Sequence, residues 1–394
     1  MSKRIKTDIC IIGTGPAGST ASLFLSKNGI DHLILDKEEF PRNKICGDAL
    51  TIEVMATLKR LNPDLLQSMI NNPEFLPVWK VEGSSPKGNK SEINFNHFNL
   101  PYAPFYTSKR SVFDTFLIDS IKKCDFLGNT LVKKINRKTE GVEIRALKGD
   151  EEIIINSKLV LGCDGSNSVV SRQLANYPTK DRAHTYASVR TYFKLKFPVE
   201  SLEFHFLKEL LPGYFWVFPM PDGSANVGLG VMSNHIKIKE RKLLDLFNKL
   251  INEDKSLKEK FAGSEQLEKL RGWDLPLNSK RKTLAGNNYL LLGDAGSMIE
   301  PFSGKGIGIA MVSGMLALNI CQAALEKNRF DEAFLMQYHH KVYQYFNIEW
   351  KFLYLLQKWH HNPFRVDLLN AVHGFPPINR YLNRKLEKSI SQWM

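Results

Sequence analysis

The alternation of apolar and polar positions near the start of the chain predicts a strand, a helix and a second strand. In "TDICIIGTGPAGSTASLFLSKNGIDHLILDK" (residues 7–37) a short apolar run precedes a glycine-rich turn, a longer helical stretch and another apolar run. Short apolar runs bounded by turn residues are typical of buried parallel strands, and the longer segment between them indicates a connecting helix. The pattern therefore predicts a βαβ unit.

A second stretch far downstream has a related pattern. "NNYLLLGDAGSMIEPFSGKGIGIA" (residues 287–310) predicts a buried strand that ends at Gly293-Asp294, then a turn, then a helix. The uncharged run from Gly306 to Leu325 is long enough to cross a membrane. Because polar residues interrupt it and it directly follows a strand and a glycine-rich turn, we favour a buried helix over a spanning one.

Between these stretches lies a segment that is apolar on both faces, "GYFWVFPMPDG" (residues 213–223). In an extended chain Tyr214, Trp216 and Phe218 point to one side, and the residues between them point to the other. Each face must therefore cover something apolar. With the strand-like segments at 75–108 and 184–232, this one predicts a sheet that forms a second domain.

The C-terminal 62 residues, from position 333, predict a helical segment with one apolar stripe. The segment carries eight Lys and Arg, three acids and five of the ten histidines. Packing against the first domain is the simpler interpretation, and a basic amphipathic contact with a membrane is the alternative. The pairs His339-His340 and His360-His361 lack acidic or thiol neighbours, so we expect interfacial or surface residues and no metal site. The stripe comprises Leu335, Tyr338, Val342, Tyr345, Phe352, Leu356 and Trp359.

Length and charge narrow the class of protein. A chain of 394 residues exceeds the usual size of one hydrophobic core, so two packed domains are expected. The net charge of +13 is spread along the chain without a nucleic-acid-reading motif, which favours anionic cofactors or a membrane surface over nucleic acid. Five scattered cysteines and the absence of a signal-like start lead us to expect a cytoplasmic protein.

The glycines of the first turn supply the candidate chemistry. Gly13, Gly15 and Gly18 match GxGxxG between a strand and a helix, where the backbone approaches a pyrophosphate and the helix N-terminus holds its charge. Asp36 ends the next strand, where an acid accepts hydrogen bonds from a ribose. This unit alone does not distinguish NAD from FAD. Gly293-Asp294 favours FAD, because an acid there can hold a hydroxyl of a ribityl chain, which NAD lacks.

These motifs, in this order, resemble the FAD-dependent oxidoreductases with the para-hydroxybenzoate hydroxylase fold, and among them the geranylgeranyl reductase family. Tyr214 to Pro219 matches the YxWxFP motif of those reductases, and "FPRNKICGDALT" (residues 40–51) resembles their segment ending in Cys-Gly-Gly. Here Asp48 replaces the second glycine, which places a polar group near the expected cavity. Lys305 replaces an acid found in many relatives.

The resemblance implies a fold of the α/β (α+β) class. A Rossmann-like FAD-binding domain (1–74, 109–183 and 281–330) would carry an inserted antiparallel-sheet substrate domain (75–108 and 184–280) and a helical C-terminal segment (331–394). It also implies a substrate cavity lined by Cys46, Tyr214, Trp216 and Phe218. The implied cofactor-binding residues are Gly13, Gly15, Pro16, Ala17, Gly18, Asp36, Lys37, Arg42, Cys46, Gly47, Arg110, Asp164, Gly293, Asp294, Pro301, Gly304, Lys305, Gly306 and Ile307.

The function that the resemblance implies is transfer of hydride from reduced FAD to a carbon–carbon double bond of a hydrophobic, isoprenoid-like substrate. No second dinucleotide motif is evident, so the electron donor is expected to be transiently bound NAD(P)H or a separate reductase protein. A monooxygenase is the main alternative, because it uses the same fold. A flavin-dependent halogenase is less favoured, since that group carries WxWxIP where this chain has YxWxFP.

Overall fold

The computed structural model describes residues 3–178, 181–234, 240–373, 386–388, 390–391 and 393–394, without the side chains of 240–242 and 372–373. The chain forms two units, each assembled from three separate stretches. The first unit comprises Met1–Asn43, Arg110–Asp181 and Pro276–Lys351. The second comprises Lys44–Lys109, Arg182–Leu275 and Phe352–Met394.

Ten α-helices occur in the described residues. They are α1 (Pro16–Lys27), α2 (Ile52–Leu61), α3 (Pro63–Ile70), α4 (Arg110–Asp119), α5 (Val169–Gln173), α6 (Glu240–Glu253), α7 (Lys255–Phe261), α8 (Ile307–Lys327), α9 (Glu332–Trp359) and α10 (Pro363–His373). Short 3₁₀ turns occur at Phe95–His97, Gly165–Asn167, Arg182–His184 and Gly293–Gly296.

The same residues contain nineteen strands. They are β1 (Lys3–Ile12), β2 (Leu33–Leu35), β3 (Ala49–Leu50), β4 (Leu76–Val78), β5 (Lys80–Ser84), β6 (Lys90–Asn94), β7 (Phe105–Thr107), β8 (Asp125–Leu127), β9 (Thr130–Arg137), β10 (Val142–Lys148), β11 (Glu151–Gly162), β12 (Thr185–Lys194), β13 (Leu202–His205), β14 (Tyr214–Pro219), β15 (Ala225–Met232), β16 (Glu265–Gln266), β17 (Arg271–Pro276), β18 (Ala285–Gly286) and β19 (Tyr289–Leu291).

The first unit is built on an eight-stranded sheet. Its main path runs β18-β19-β11-β1-β2-β8, and the pairs β19-β11, β11-β1, β1-β2 and β2-β8 are parallel. The end of β1 is buried on both faces: Ile9 and Ile11 join a core with α1 and α8, whereas Cys10 and Ile12 join a core with β9, β10 and α5. Burial on both faces explains its uninterrupted apolar run.

The helix α8 lies inside this unit. Among the described residues it is the one helix long and apolar enough to cross a membrane, and 72% of that apolar window is buried within the protein. Gly314 fits it closely against α1, because a methyl group added there would lie 2.6 Å from the Ala17 carbonyl oxygen. The buried placement explains why the run is apolar all round.

The second unit contains an eight-stranded sheet with the order β16-β12-β15-β14-β13-β5-β6, in which β17 also pairs with β12, and a small sheet β3-β7-β4. One face of β14 packs against α6 and α7: the Phe215 ring lies 5.4 Å from that of Phe247 and 6.1 Å from that of Phe261. Phe215 and Val217 have no exposed surface. This packing accounts for one of the two apolar faces of the strand.

The unit boundaries differ from the sequence-based domain boundaries in several places; residues 276–280 belong to the first unit, and residues 352–394 belong to the second instead of forming a separate segment. Residues 44–74 belong to the second unit, where β3 pairs with β7. Residues 331–351 belong to the first, because Leu335, Tyr338 and Val342 of α9 are fully buried in its core. Both contacts join residues far apart in sequence, so the local pattern of apolar and polar residues does not predict them.

The apolar stripe predicted for the C-terminal segment lies on α9 and is buried only at its start. Leu335, Tyr338 and Val342 are buried, but Tyr345 is 36% exposed and Phe352 is 62% exposed. The 24 residues from Leu335 to Trp359 cover about 6.7 turns of an α-helix, which is about 120° short of seven full turns. The stripe therefore rotates from the buried side of α9 to the outer side. His360, expected at an interface or at the surface, is 1% exposed, and its Nδ1 contacts the Leu356 carbonyl oxygen.

Candidate cofactor cradle and aromatic sheet

The glycine-rich turn leaves open space at one of its three glycines. Gly13 has φ +98°, and a methyl group there would lie 2.5 Å from the Cys163 carbonyl oxygen. At Gly18 it would lie 1.9 Å from the Gly13 carbonyl oxygen. At Gly15 the nearest atom would be Arg42 Nη2, 3.8 Å away. Two glycines are thus required by the fold, and Gly15 faces the space that a pyrophosphate needs.

The N-terminus of α1 completes this cradle. Gly15 is its N-cap and Pro16 its first residue; no side chain caps the helix, and its first turn has no acid. The free N–H groups of that turn are suited to an anion. Ala17 and Gly18 are buried where the helix packs on the sheet.

Asp36 lies against the same turn. Its Oδ2 accepts hydrogen bonds from Thr14 N at 2.7 Å and Thr14 Oγ1 at 2.5 Å, and its Oδ1 accepts one from Glu38 N at 2.9 Å. Since each carboxylate oxygen can accept two hydrogen bonds, Oδ1 retains capacity for a ribose hydroxyl. The Lys37 side chain is 63% exposed, and its Nζ lies 3.5 Å from Glu38 Oε1.

Two arginines and one acid form a buried cluster beside Gly15. Arg110 makes two hydrogen bonds to Asp114, of 2.8 and 2.7 Å, and Arg42 Nη2 lies 3.0 Å from Asp114 Oδ2. The cluster has one positive charge more than negative, which suits a diphosphate next to Gly15. Sequence reasoning missed Asp114, although its position four residues after Arg110 on a helix was a usable signal.

Replacing Arg42 with glutamine is expected to raise the dissociation constant for FAD about tenfold at low salt, because a charge-assisted contact to phosphate is lost. Titration of apoprotein with FAD, followed by flavin fluorescence, measures this. Arg145→Gln is the matched control, since Arg145 is 46% exposed on the same unit. Equal FAD affinity in the Arg42 variant and the control would show that Arg42 does not contribute to FAD binding.

Asp164 carries a buried oxygen that lacks a hydrogen-bond partner among the described residues. Its Oδ2 accepts from Val169 N at 2.6 Å, while its Oδ1 is buried without a partner. Burial raises the pKa of this carboxyl group despite those hydrogen bonds. A methyl group at Gly13 would touch the Asp164 backbone, so the unpaired oxygen belongs to a residue bordering the turn. A cofactor hydroxyl is the kind of group that would satisfy it.

The Gly293-Asp294 turn meets the N-terminus of α8. Gly293 N donates to Ser313 Oγ at 3.0 Å, and a methyl group at Gly293 would lie 3.3 Å from the Ala17 side chain. Gly306 is the N-cap residue of α8, which has no side-chain capping hydrogen bond from the described residues. A methyl group at Gly306 would lie 3.7 Å from Asp294 Oδ1. The structure thus brings Asp294, Gly306 and the adjoining Ile307 together, close to α1.

Glu300 shapes the loop from Pro301 to Gly304, a role that sequence reasoning missed. This fully buried carboxylate accepts hydrogen bonds from Phe302 N and from both the backbone N–H (2.7 Å) and the hydroxyl of Ser303. Burial raises its pKa, which these bonds and Lys305 oppose. The loop is therefore held from inside.

Lys305 is held by an ion pair. Its Nζ lies 2.5 Å from Glu349 Oε1 of α9, so its positive charge is locally balanced. Because this charge is paired with Glu349, Lys305 would attract an anionic group of a bound cofactor less strongly than an unpaired lysine would.

The residues of the first unit fit FAD. They combine a glycine turn open only at Gly15, an uncapped helix N-terminus, surplus positive charge, an unpaired buried carboxylate oxygen at Asp164 and the Asp294 turn. The phosphate groups would meet Gly15 and Arg42, and Asp36 and Asp294 would hold hydroxyl groups of the two halves of the cofactor.

In the second unit, one side chain connects the Cys46–Asp48 segment to the aromatic strand. Asn226 Oδ1 accepts from Trp216 Nε1 at 2.9 Å, and Asn226 Nδ2 donates to the Cys46 carbonyl oxygen and to Asp48 Oδ2, both at 2.8 Å. Asp48 also accepts from the Tyr192 hydroxyl. Burial, with the Asp48 charge, raises the pKa of Tyr192 above its ordinary value.

Asp48 occupies a backbone conformation that suits glycine. Its φ is +61°, in the left-handed region, and its side chain is fully buried. The departure from Cys-Gly-Gly therefore keeps the backbone of a glycine and adds a carboxylate bonded to Asn226 and Tyr192. Neither partner was found from the sequence, since they lie 144 and 178 residues away.

Tyr214, Trp216 and Phe218 share the other face of β14, as the alternation predicts. Phe204 contacts two of them, with ring centroids 5.1 Å from Tyr214 and 5.2 Å from Phe218. A methyl group at Gly47 would lie 3.4 Å from Phe218 and 3.8 Å from Trp216 Nε1, so Cys46-Gly47 borders this face. On β15, opposite Tyr214, a methyl group at the buried Gly230 would meet no atom of the described residues within 4 Å.

The comparisons with known proteins agree with this geometry. The FAD binding domain family matches residues 6–346. The digeranylgeranylglycerophospholipid reductase of Methanococcus vannielii is 27% identical over 386 residues, covering 94% of this chain and 91% of that protein. The menaquinone reductase of Mycolicibacterium smegmatis is 26% identical and covers 80% and 76%. A geranylgeranyl bacteriochlorophyll reductase-like protein from Thermoplasma acidophilum has a TM-score of 0.82 at 20% identity, covering 94% and 91%.

The cradle and the family match together define the class of protein, an FAD-dependent oxidoreductase. The chain belongs to the FAD binding domain family. Within that class the resemblance to the geranylgeranyl reductases, inferred from the motifs, is confirmed by these relatives, and the fold class is confirmed by the structural neighbour.

Proposed function

We propose that this protein reduces carbon–carbon double bonds of a hydrophobic, isoprenoid-like substrate. The aromatic face of β14 carries the proposal, because it supplies apolar surface next to open space at Gly230 and lies against Cys46-Gly47. Each buried CH₂ of an isoprenoid chain contributes about 0.8 kcal/mol, so such a surface can bind a long chain with few polar contacts. Two relatives act, by their names, on a digeranylgeranylglycerophospholipid and on menaquinone, both of which suit such a surface.

The protein's own residues would bind and orient the reactants. When bound, FAD supplies the hydride. Net reduction of the double bond would add that hydride to one alkene carbon and a proton from solvent to the other, and NAD(P)H or a separate reductase protein would replace the two electrons. The Asn226 amide fixes the indole of Trp216 and the Cys46 carbonyl, so the apolar wall and the Cys46-Gly47 segment keep one arrangement. We also propose that the protein is cytoplasmic.

Product mass is the test of the reaction. The holoprotein is reduced with dithionite without oxygen and mixed separately with a geranylgeranyl lipid and with menaquinone; the expected product has gained two hydrogens per reduced bond. The same mixtures are then exposed to air. A product that has gained one oxygen atom would instead establish a monooxygenase, and unchanged substrates under all conditions would contradict the proposal.

A further inference from the structure

The C-terminal half of α9 has an exposed side that is apolar, opposite the side that packs against the rest of the protein. Ile348, Phe352 and Leu355 are 86%, 62% and 64% exposed, and their helical positions fall within about 60° of one another. Trp350 and Gln357, which are 4% and 3% exposed, lie on the opposite side. The exposed residues therefore form an outer face of α9, opposite the side that packs against the protein.

The next helix continues this property. On α10, Phe364 and Leu368 are 66% and 48% exposed and lie one turn apart, while Val366 and Asn370 are buried. Only residues 360–362 separate the two helices. Large apolar residues are seldom this exposed in consecutive helices unless something covers them. We call these five residues the apolar face: Ile348, Phe352, Leu355, Phe364 and Leu368.

The exposed charges on the stretch of the two helices that carries the apolar face, residues 348–371, have one sign. Lys351, Lys358 and Arg365 are exposed on the same helical stretch. The two acids between residues 348 and 371 are engaged elsewhere: Glu349 pairs with Lys305, and Asp367 is buried and accepts from Lys87 N at 3.0 Å. The surface is therefore apolar with a positive rim.

We propose that the apolar face docks on the surface of an anionic lipid bilayer. Exposed Phe, Leu and Ile insert at the headgroup boundary, and Lys and Arg beside them are attracted to anionic lipids. A second copy of the chain fits less well, because a two-fold contact would bring the rim lysines of both copies together.

The inner side of α9 connects this surface to the large sheet. Gln357 Nε2 donates to the Tyr186 hydroxyl at 2.9 Å, and Tyr186 is on the same strand, β12, as Tyr192. The same helix thus faces outward with the apolar face and inward on the sheet proposed to bind substrate. Docking would hold the protein where lipids with isoprenoid chains reside. This benefit for catalysis rests on the proposed function, whereas the docking itself is independent of it.

Vesicle sedimentation of the holoprotein tests the docking without any turnover. We expect at least tenfold stronger binding to phosphatidylcholine vesicles containing phosphatidylglycerol than to phosphatidylcholine alone. The double variant Phe352→Ser/Leu355→Ser should lose at least tenfold on both vesicles. Lys351→Glu/Lys358→Glu should lose the preference for phosphatidylglycerol and keep the weaker binding.

Two matched controls separate docking from general stickiness. Phe197→Ser removes an apolar side chain that is 71% exposed elsewhere in the second unit, and Lys148→Glu reverses an exposed charge on the first; both should bind as the original protein does. FAD content and melting temperature verify folding. The proposal is overturned if the original protein does not sediment with anionic vesicles or if the Phe197 control loses as much vesicle binding as the serine variant. It is also overturned if the original protein is a dimer and the serine variant differs from it only in being a monomer.

Discussion

A Gly15→Val variant is expected to fold normally and to bind no FAD. Gly15 has φ −68° and ψ −176°, a conformation that valine adopts readily, and its nearest neighbour would be 3.8 Å from the new Cβ. The added methyl groups would occupy the space in which the backbone must approach the pyrophosphate. The purified variant should be colourless, with flavin absorbance below a tenth of that of the original protein.

Gly18→Val and Ala333→Val make the test specific. Valine at Gly18 would collide with the Gly13 carbonyl oxygen at 1.9 Å, so this variant should lower the melting temperature or fail to fold. Ala333 is exposed on α9, so valine there should change neither property. A yellow Gly15→Val protein with unchanged FAD affinity would refute the cradle.

The second large effect is expected from Asn226→Ala. This change removes one amide that bonds Trp216, Cys46 and Asp48, and each buried group left without a partner costs about 1–3 kcal/mol. We expect a lower melting temperature and a loss of substrate reduction of at least about tenfold, which corresponds to about 1.4 kcal/mol in the barrier. FAD content should remain, since the cradle residues lie in the other unit.

The indole N–H of Trp216 provides a readout independent of turnover. With ¹⁵N-labelled tryptophan the six indoles give separate signals, and Trp216→Phe identifies the one concerned. Asn226→Ala should shift that signal and accelerate its exchange with solvent. Asp48→Gly should act more mildly, because glycine relieves the left-handed conformation while Asn226 keeps its bond to Trp216. An unchanged signal in Asn226→Ala would refute the positioning role of Asn226. If the variant lost FAD instead of activity, the assignment of Trp216 to the substrate-binding surface would be refuted.

The sequence determined those features that depend on neighbouring residues. The glycine spacing and the strand–turn–helix order were enough to predict the phosphate cradle, because a tight turn and a helix N-terminus are local structures. The alternation in "YFWVFP" was enough to place Tyr214, Trp216 and Phe218 on one face. The order of the motifs identified the family.

Tertiary structure decided which distant residues meet. Asp114 between two arginines, Glu300 inside its loop, and Asn226 between Trp216 and Cys46 all depend on contacts that no periodicity encodes. The same holds for α9, whose stripe is buried at Leu335 and exposed at Phe352. The sequence of a helix shows which of its residues are apolar. Whether another element covers those residues depends on the packing of the whole chain, because burial is produced by neighbours far away in sequence.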